Sequence, residues 1–248
     1  MQAGKTAVRN LADPAYLLTA WEQALAVPPV ARVTVLLHLA GLVDDLDEAL
    51  DSATGRCSAL AAEAHRIAFG RDVDGLVHCP ACGELLEARV RLPSSADVPV
   101  AEPPADPGEV RVGGYAVRAP TVRDLLAAAV DPGEARAVLL TRCVRRLDGR
   151  PFDPSALTSD EKSRVDEAAE RLAGDADVVL CAECPACAGC VVATLDLGAM
   201  LWDQVEAAAP ALIAEVAALA RAFGWSERAV LAMSPTRRQR YLTQAAAL

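Results

Sequence analysis

Apolar residues recur along this chain with two periods, one helical and one alternating. Leu17, Leu18, Trp21 and Leu25 fall on one helical face behind Asp13-Pro14, a side-chain cap and first-turn proline, and Pro28-Pro29 closes the run. Val30 to Leu39 predicts a second short helix with His38 packed on its apolar side. Gly55 to Phe69 predicts a third, ended by Gly70. Glu109 to Ala119 reads as a hairpin turning at Gly113-Gly114. Pro120-Thr121 leads into a helix through Val130, and Pro132 opens another to about Val144, with Ala135, Val138, Leu139 and Arg142 in register. Arg142, Arg145 and Arg146 then form a solvated, basic helix end. Thr158 to Ala173 is amphipathic, with Val165, Ala169 and Leu172 inward. Gly198 to Phe223 is the longest helical run, with Leu201, Val205, Leu212, Val216, Leu219 and Phe223 on one face. Pro210 is expected to kink or split it, and Gly224 to end it. Ser226 starts a short helix through Met233, and Ser234-Pro235 caps the last one.

Strand-like runs lie elsewhere. Leu76-Val77 and Leu85 to Leu92 flank one short polar turn; Asp177 to Leu180 and Val191 to Leu197 flank another. The pattern predicts an α+β chain, mainly helical, in six stretches. Residues 1–73 form an N-terminal helical region, with 1–13 a loose leader. Residues 74–92 are a first β half, and 93–108 a linker rich in proline and acid. Residues 109–176 hold an inserted hairpin and helices, 177–197 a second β half, and 198–248 the C-terminal helices.

Composition narrows the function. A 53% hydrophobic content in 248 residues allows a sizeable core, and only 4% aromatic residues favours closely packed helices. A net charge of −10 argues against nucleic acid and anionic membranes as partners. No run is long and apolar enough for a membrane span, and the N-terminus lacks the apolar core of a signal peptide. Gly4-Lys5-Thr6 lacks the earlier glycine of a phosphate-binding loop. The Asp44 to Glu48 cluster has no His or Cys beside it and reads as a solvated helix start rather than catalytic carboxylates.

The two polar turns carry the chemistry. Cys79-Pro80-Ala81-Cys82 and Cys184-Pro185-Ala186-Cys187 are near-identical knuckles separated by 101 residues, positions 83 to 183. A Cys-x-x-Cys turn aims two thiolates at one point, and two such turns complete a tetrahedral sulfur site. The expectation is one structural zinc per chain on Cys79, Cys82, Cys184 and Cys187, in a split zinc-ribbon-like β element assembled from distant halves. A redox motif normally opens a helix, whereas both knuckles have β-type flanks. Cys181, Cys184, Cys187 and Cys190 recur every third residue and raise an iron–sulfur alternative, but the tract lacks the three-residue gap and Cys-Pro of the bacterial ferredoxin run. Cys181 and Cys190 are taken as spare thiols beside the knuckle, His78 as a neighbour of the metal, and Cys57 and Cys143 as small core residues. Eight cysteines without an export signal point to a reducing cytoplasm.

The C-terminal phrases Phe223-Gly224-Trp225-Ser226-Glu227, Leu231, Ser234-Pro235-Thr236-Arg237-Arg238 and Tyr241-Leu242 resemble the tail of a phage-type baseplate family. These proteins belong to contractile tails and phage-tail-like injection systems, and are similar to T-even phage baseplate hub assembly chaperones. Trp21-Glu22, both knuckles, Gly114 to Arg118, Leu139 to Val144, and Leu201-Trp202 with Val205 fit the same resemblance, which spans most of residues 15 to 245. Ala188 stands where the family has a glycine after the second knuckle, and Pro210 interrupts a helix expected to be continuous. The resemblance implies a role in building a baseplate or hub, with baseplate or hub proteins as partners and no catalysis, small-molecule substrate, nucleic acid or membrane.

Two other functional classes fit parts of the sequence. A zinc-ribbon adaptor binding nucleic acid or a nucleoprotein partner is the alternative, opposed by the acidic balance. A zinc hydrolase needs an open coordination position, which four thiolates close. The partner surface is placed on Trp225, Arg237, Arg238, Tyr241 and Leu242. Arginines near a helix N-terminus oppose its dipole, so carboxylates of this chain or of a partner must compensate, and the reading favours a partner.

Overall fold

The computed structural model of the chain describes residues 11–92, 108–173 and 178–247. Most of the leader and nearly all of the proline linker, expected over 1–13 and 93–108, lie outside the described residues. The described residues are mixed α+β, 56% helical, with small antiparallel sheets.

Helix α1 (Pro14–Leu25) starts on Asp13, whose carboxylate accepts from the Tyr16 amide at 3.0 Å. A single 3-10 turn leads into α2 (Arg32–Leu39), and the Tyr16 hydroxyl donates to the Leu39 carbonyl to tie the two together. The acidic cluster begins α3 (Leu46–Asp51), capped by Asp45. Next comes α4 (Thr54–Ala68), and the chain turns at Gly70, whose φ of 96° is a conformation only glycine adopts easily. These helices bury Leu36, Leu37, Ala61 and Ala64 against the long C-terminal helix α8 (Leu197–Phe223), which contributes Leu201, Val205 and Ala209. Alanine at the contact positions lets the helices approach closely.

The expected split at Pro210 is not seen: α8 is one helix through it. Pro210 and Glu206 are both on the exposed face, so the Glu206 carbonyl that loses its helical donor faces solvent rather than the core. Gly224 ends α8 at φ 70°. Helices α9 (Glu227–Leu231) and α10 (Pro235–Ala245) follow, capped by Ser226 and Ser234.

Between α4 and α8 lie three small sheets. Strands β1 (Asp72–His78) and β2 (Leu85–Arg91) form one antiparallel hairpin around the first knuckle. Strands β3 (Glu109–Val112) and β4 (Tyr115–Arg118) form the second, turning at Gly113-Gly114. The chain passes through α5 (Val122–Ala128) and α6 (Ala135–Cys143) and returns as β5 (Val144–Arg146), which joins the edge of β4. Helix α7 (Ser159–Ala173) covers this sheet, and Val117, Val144, Val165 and Ala168 make a separate small core. The third sheet pairs β6 (Val178–Glu183) with β7 (Cys190–Leu195) around the second knuckle.

Of the basic trio, Arg142 closes the last turn of α6 and is exposed, as expected, whereas Arg145 and Arg146 are not helical. Val144 to Arg146 is a strand, and each arginine has its own carboxylate: Arg142 meets Asp124 at 2.7 Å, Arg145 meets Glu109, and Arg146 meets Asp148. Asp124 is 1% exposed. Burial pushes its carboxyl up, but the Arg118 guanidinium, the Thr121 amide and Arg142 outweigh this and hold it below the usual carboxylate range. That cluster joins α5 to β4 and α6. Arg123 reaches Asp47 and Asp51 of α3, and the Thr54 amide donates to the Pro120 carbonyl, which docks the inserted unit on the helical core.

Candidate metal centre

Each knuckle is built by the same three local devices. In the first, the Cys79 amide donates to the Glu84 carbonyl at 2.8 Å and the Gly83 amide to the Cys79 carbonyl at 2.9 Å. In the second, Cys184 donates to Gly189 at 2.9 Å and Ala188 to Cys184 at 2.8 Å. Counterparts lie at a constant offset of 105 residues (184 less 79). The turn needs a left-handed residue after the second cysteine; Gly83 supplies it at φ 76° and Ala188 at φ 57°. Ala188 is the one non-glycine residue at positive φ among the described residues, so the turn keeps its geometry without the glycine, at a cost of about 1 kcal/mol.

The two turns then meet. Gly189 keeps the approach close, since a Cβ there would lie 3.2 Å from the Cys187 sulfur and 3.4 Å from the Ala81 methyl of the opposite knuckle, tighter than ordinary contact. Cys79 and Cys184 are buried, at 2% and 1% exposure, while Cys82 and Cys187 lie on the exposed side of the cluster. Val77, Leu86 and Val191 pack beneath the two buried cysteines.

All four sulfurs lie within 4.8 Å of one another. Cys79 and Cys187 are 3.7 Å apart, as are Cys82 and Cys184. Metal–thiolate bonds of ~2.3 Å in a tetrahedron give an edge of about 3.8 Å. The separation is far beyond the ~2.05 Å of a disulfide. The four expected ligands are therefore brought together, and they can hold one thiophilic metal ion with no position left open. Cys79 is the thiol most readily deprotonated: the amides of Cys82 and Ala81 draw it down to about 7. The Glu84 amide favours the Cys82 thiolate too, but the surrounding sulfurs and burial outweigh it and push that thiol up to about 12.

Cys181 and Cys190 stay outside the cluster. They occupy the outward-facing positions that Leu76 and Leu85 hold on the first hairpin, and both are exposed. His78 also faces outward, its Nδ1 3.3 Å from the Gly83 carbonyl. Cys57 and Cys143 are core thiols, each pushed up to about 11 by burial.

The C-terminal residues divide. Arg237 and Arg240 are exposed. Trp225 and Tyr241 are half-buried and pack edge to face at 4.8 Å, with Phe223 stacked on Trp225 at 4.7 Å. Leu242 is half-buried. Arg238 requires a correction: it is 4% exposed, donates from Nε to Glu215 of α8 at 2.7 Å and from Nη1 to the Met233 carbonyl at 3.0 Å. Its compensating carboxylate belongs to this chain, so it fastens α10 to α8 rather than lying open on the surface.

No helix among the described residues is long and apolar enough to cross a membrane. Comparison with known proteins finds no matching family model, no matching curated protein and no matching solved structure.

Proposed function

We propose that this chain is a non-enzymatic assembly factor or minor component of the baseplate or hub of a phage-tail-like contractile injection system, built around one structural zinc. The observation that carries the non-catalytic part is the closed four-sulfur site. A catalytic metal keeps a position for water or substrate, and here four cysteine sulfurs converge from two turns, enough to fill a tetrahedral ion's coordination sphere. All-sulfur tetrahedral coordination suits zinc, which needs no redox partner. The baseplate setting is supported by the knuckles taken with the Gly224-Trp225 and Ser234-Pro235-x-Arg237-Arg238 phrases.

Elemental analysis of the purified protein is expected to find one zinc per chain, lost together with stability in Cys79→Ser and Cys184→Ser, because metal binding here is also folding energy. Iron, or full zinc in both variants, would reject the site. Capture of the tagged chain from its native lysate, with mass spectrometry of purified particles, is expected to recover baseplate components. Their absence, together with salt-sensitive binding of DNA or RNA, would replace the baseplate role with the nucleic-acid adaptor.

A further inference from the structure

We infer that the groove between the first zinc-knuckle hairpin and the start of α8 accepts an extended, basic segment of a partner polypeptide, which adds to the unpaired edges of β1 and β7. The groove has a volume of about 450 Å³. Strand β1 lines it with six successive residues, Val73 to His78, whereas β2 contributes only Ala88 and Val90 from its inward face. The groove therefore runs along the side of β1 that pairs with no strand among the described residues. On its other wall it follows Ala193 to Leu195 of β7, Asp196 and the first turns of α8. Both β1 and β7 are edge strands of two-stranded sheets and do not pair with each other.

Register fixes which backbone groups point into this space. The hydrogen bonds of Cys79 with Glu84 and of Leu92 with Arg71 mark odd-numbered β1 residues as those bonded to β2. The amides and carbonyls of Asp74, Leu76 and His78 consequently face away from the hairpin. The Cys184–Gly189 bond sets the same alternation in the second hairpin and turns Thr194 outward. All four of these residues line the groove. The outward groups of Asp74, Leu76 and His78 on one wall and of Thr194 on the other pair with no strand among the described residues and face one opening, which is the geometry that strand addition uses.

The lining specifies the occupant. Gly75, Ala88 and Ala193 add little bulk to the lining, with the Met200 side chain lying against Gly75. The charged lining residues are Asp74, Asp196 and Asp203, and no lysine or arginine is among them. Asp74 is shared with Arg89 and Asp196 caps α8, which leaves Asp203 to receive a cation. A strand with small apolar side chains inward and lysine or arginine at its rim matches both features. This inference needs the hairpins held by the metal but not the baseplate role, so failure to capture baseplate proteins leaves it standing.

The test selects binders from a displayed library of random short peptides on the zinc-loaded protein. Enriched peptides are expected to alternate β-type residues with lysine or arginine. Their binding should raise hydrogen-exchange protection at the amides of Asp74, Leu76, His78 and Thr194. Leu76→Pro removes an outward amide without touching the hairpin's own ladder, and is expected to weaken binding about tenfold. Asp203→Lys should weaken it and remove its salt sensitivity. Should Leu76→Pro lose its zinc, methylation of alternate peptide amides reads the same bonds without altering the protein. No enrichment over the Asp203→Lys protein, or full affinity of the methylated peptides, overturns the inference. Self-association that protects the same four amides would assign the groove to a second copy and overturn it equally.

Discussion

Arg237 and Arg238 are neighbours in sequence with opposite surroundings. Arg237 is in solvent; Arg238 is buried against Glu215. Removing one member of a buried pair strands the other charge, so Glu215→Ala is expected to cost about 2–3 kcal/mol, the lower end because Glu215 is itself partly exposed. Arg237→Ala should stay within about 0.5 kcal/mol. Denaturant unfolding of both variants checks this, and equal small losses would mean that the pair is not a fastening. The local sequence shows which residues are four apart on α10. It does not show that a glutamate on another helix lies under one of them, which is why Arg238 looked available to a partner. His65 is a second residue whose role came only from the fold. It is 2% exposed, its Nδ1–H donates to the Gly70 carbonyl at 3.0 Å, and burial lowers its pKa. The unfolded chain thus binds the proton more readily, so stability is fully present above the ordinary value near 6.5 and falls as pH drops below it. Thermal unfolding across pH should therefore show a smaller acid loss in His65→Gln than in the parent; parallel curves would refute the assignment.

The knuckles were legible because everything that shapes them is local: the cysteine pair, the proline, the turn residue and the β-type flanks lie within a few positions. Strand β5 was not, because Val144-Arg145-Arg146 is short and charged and becomes a strand only by pairing with β4. The continuity of α8 was missed for a related reason. Pro210 costs a hydrogen bond, but the cost depends on whether the freed carbonyl faces water, and that is set by packing. The hairpins carry a consequence of their own size. A two-stranded hairpin is marginal alone, and each of these depends on its knuckle and on a few contacts with the core. Removing the metal with a chelator is expected to raise hydrogen exchange across β1, β2, β6 and β7. The amides of α1, α2, α4 and α8 around Leu36, Leu37 and Leu201 should stay protected. Unchanged protection in the hairpins would show that packing alone holds them.

At the scale of the molecule, the helical core, the inserted unit and the paired knuckles are three bodies of packing with separate buried clusters. Charge is distributed unevenly over them. Residues 219–248 carry five arginines (221, 228, 237, 238 and 240) and one acidic residue, Glu227, in a chain whose net charge is −10. The C-terminal helices thus expose cations, Arg237 and Arg240 among them, while the groove beside α8 offers the Asp203 carboxylate, and a partner in contact with both needs the opposite order along its surface. The two halves of the metal centre also differ in when they come into being. During synthesis Cys79 and Cys82 leave the ribosome with half a coordination sphere, and 101 residues must follow before Cys184 appears. The inserted unit has to be translated, and its ends returned to one place, before four sulfurs can converge. Closure of the four-sulfur site therefore waits until translation has passed the second knuckle, and it joins two stretches of chain that leave the ribosome far apart in time.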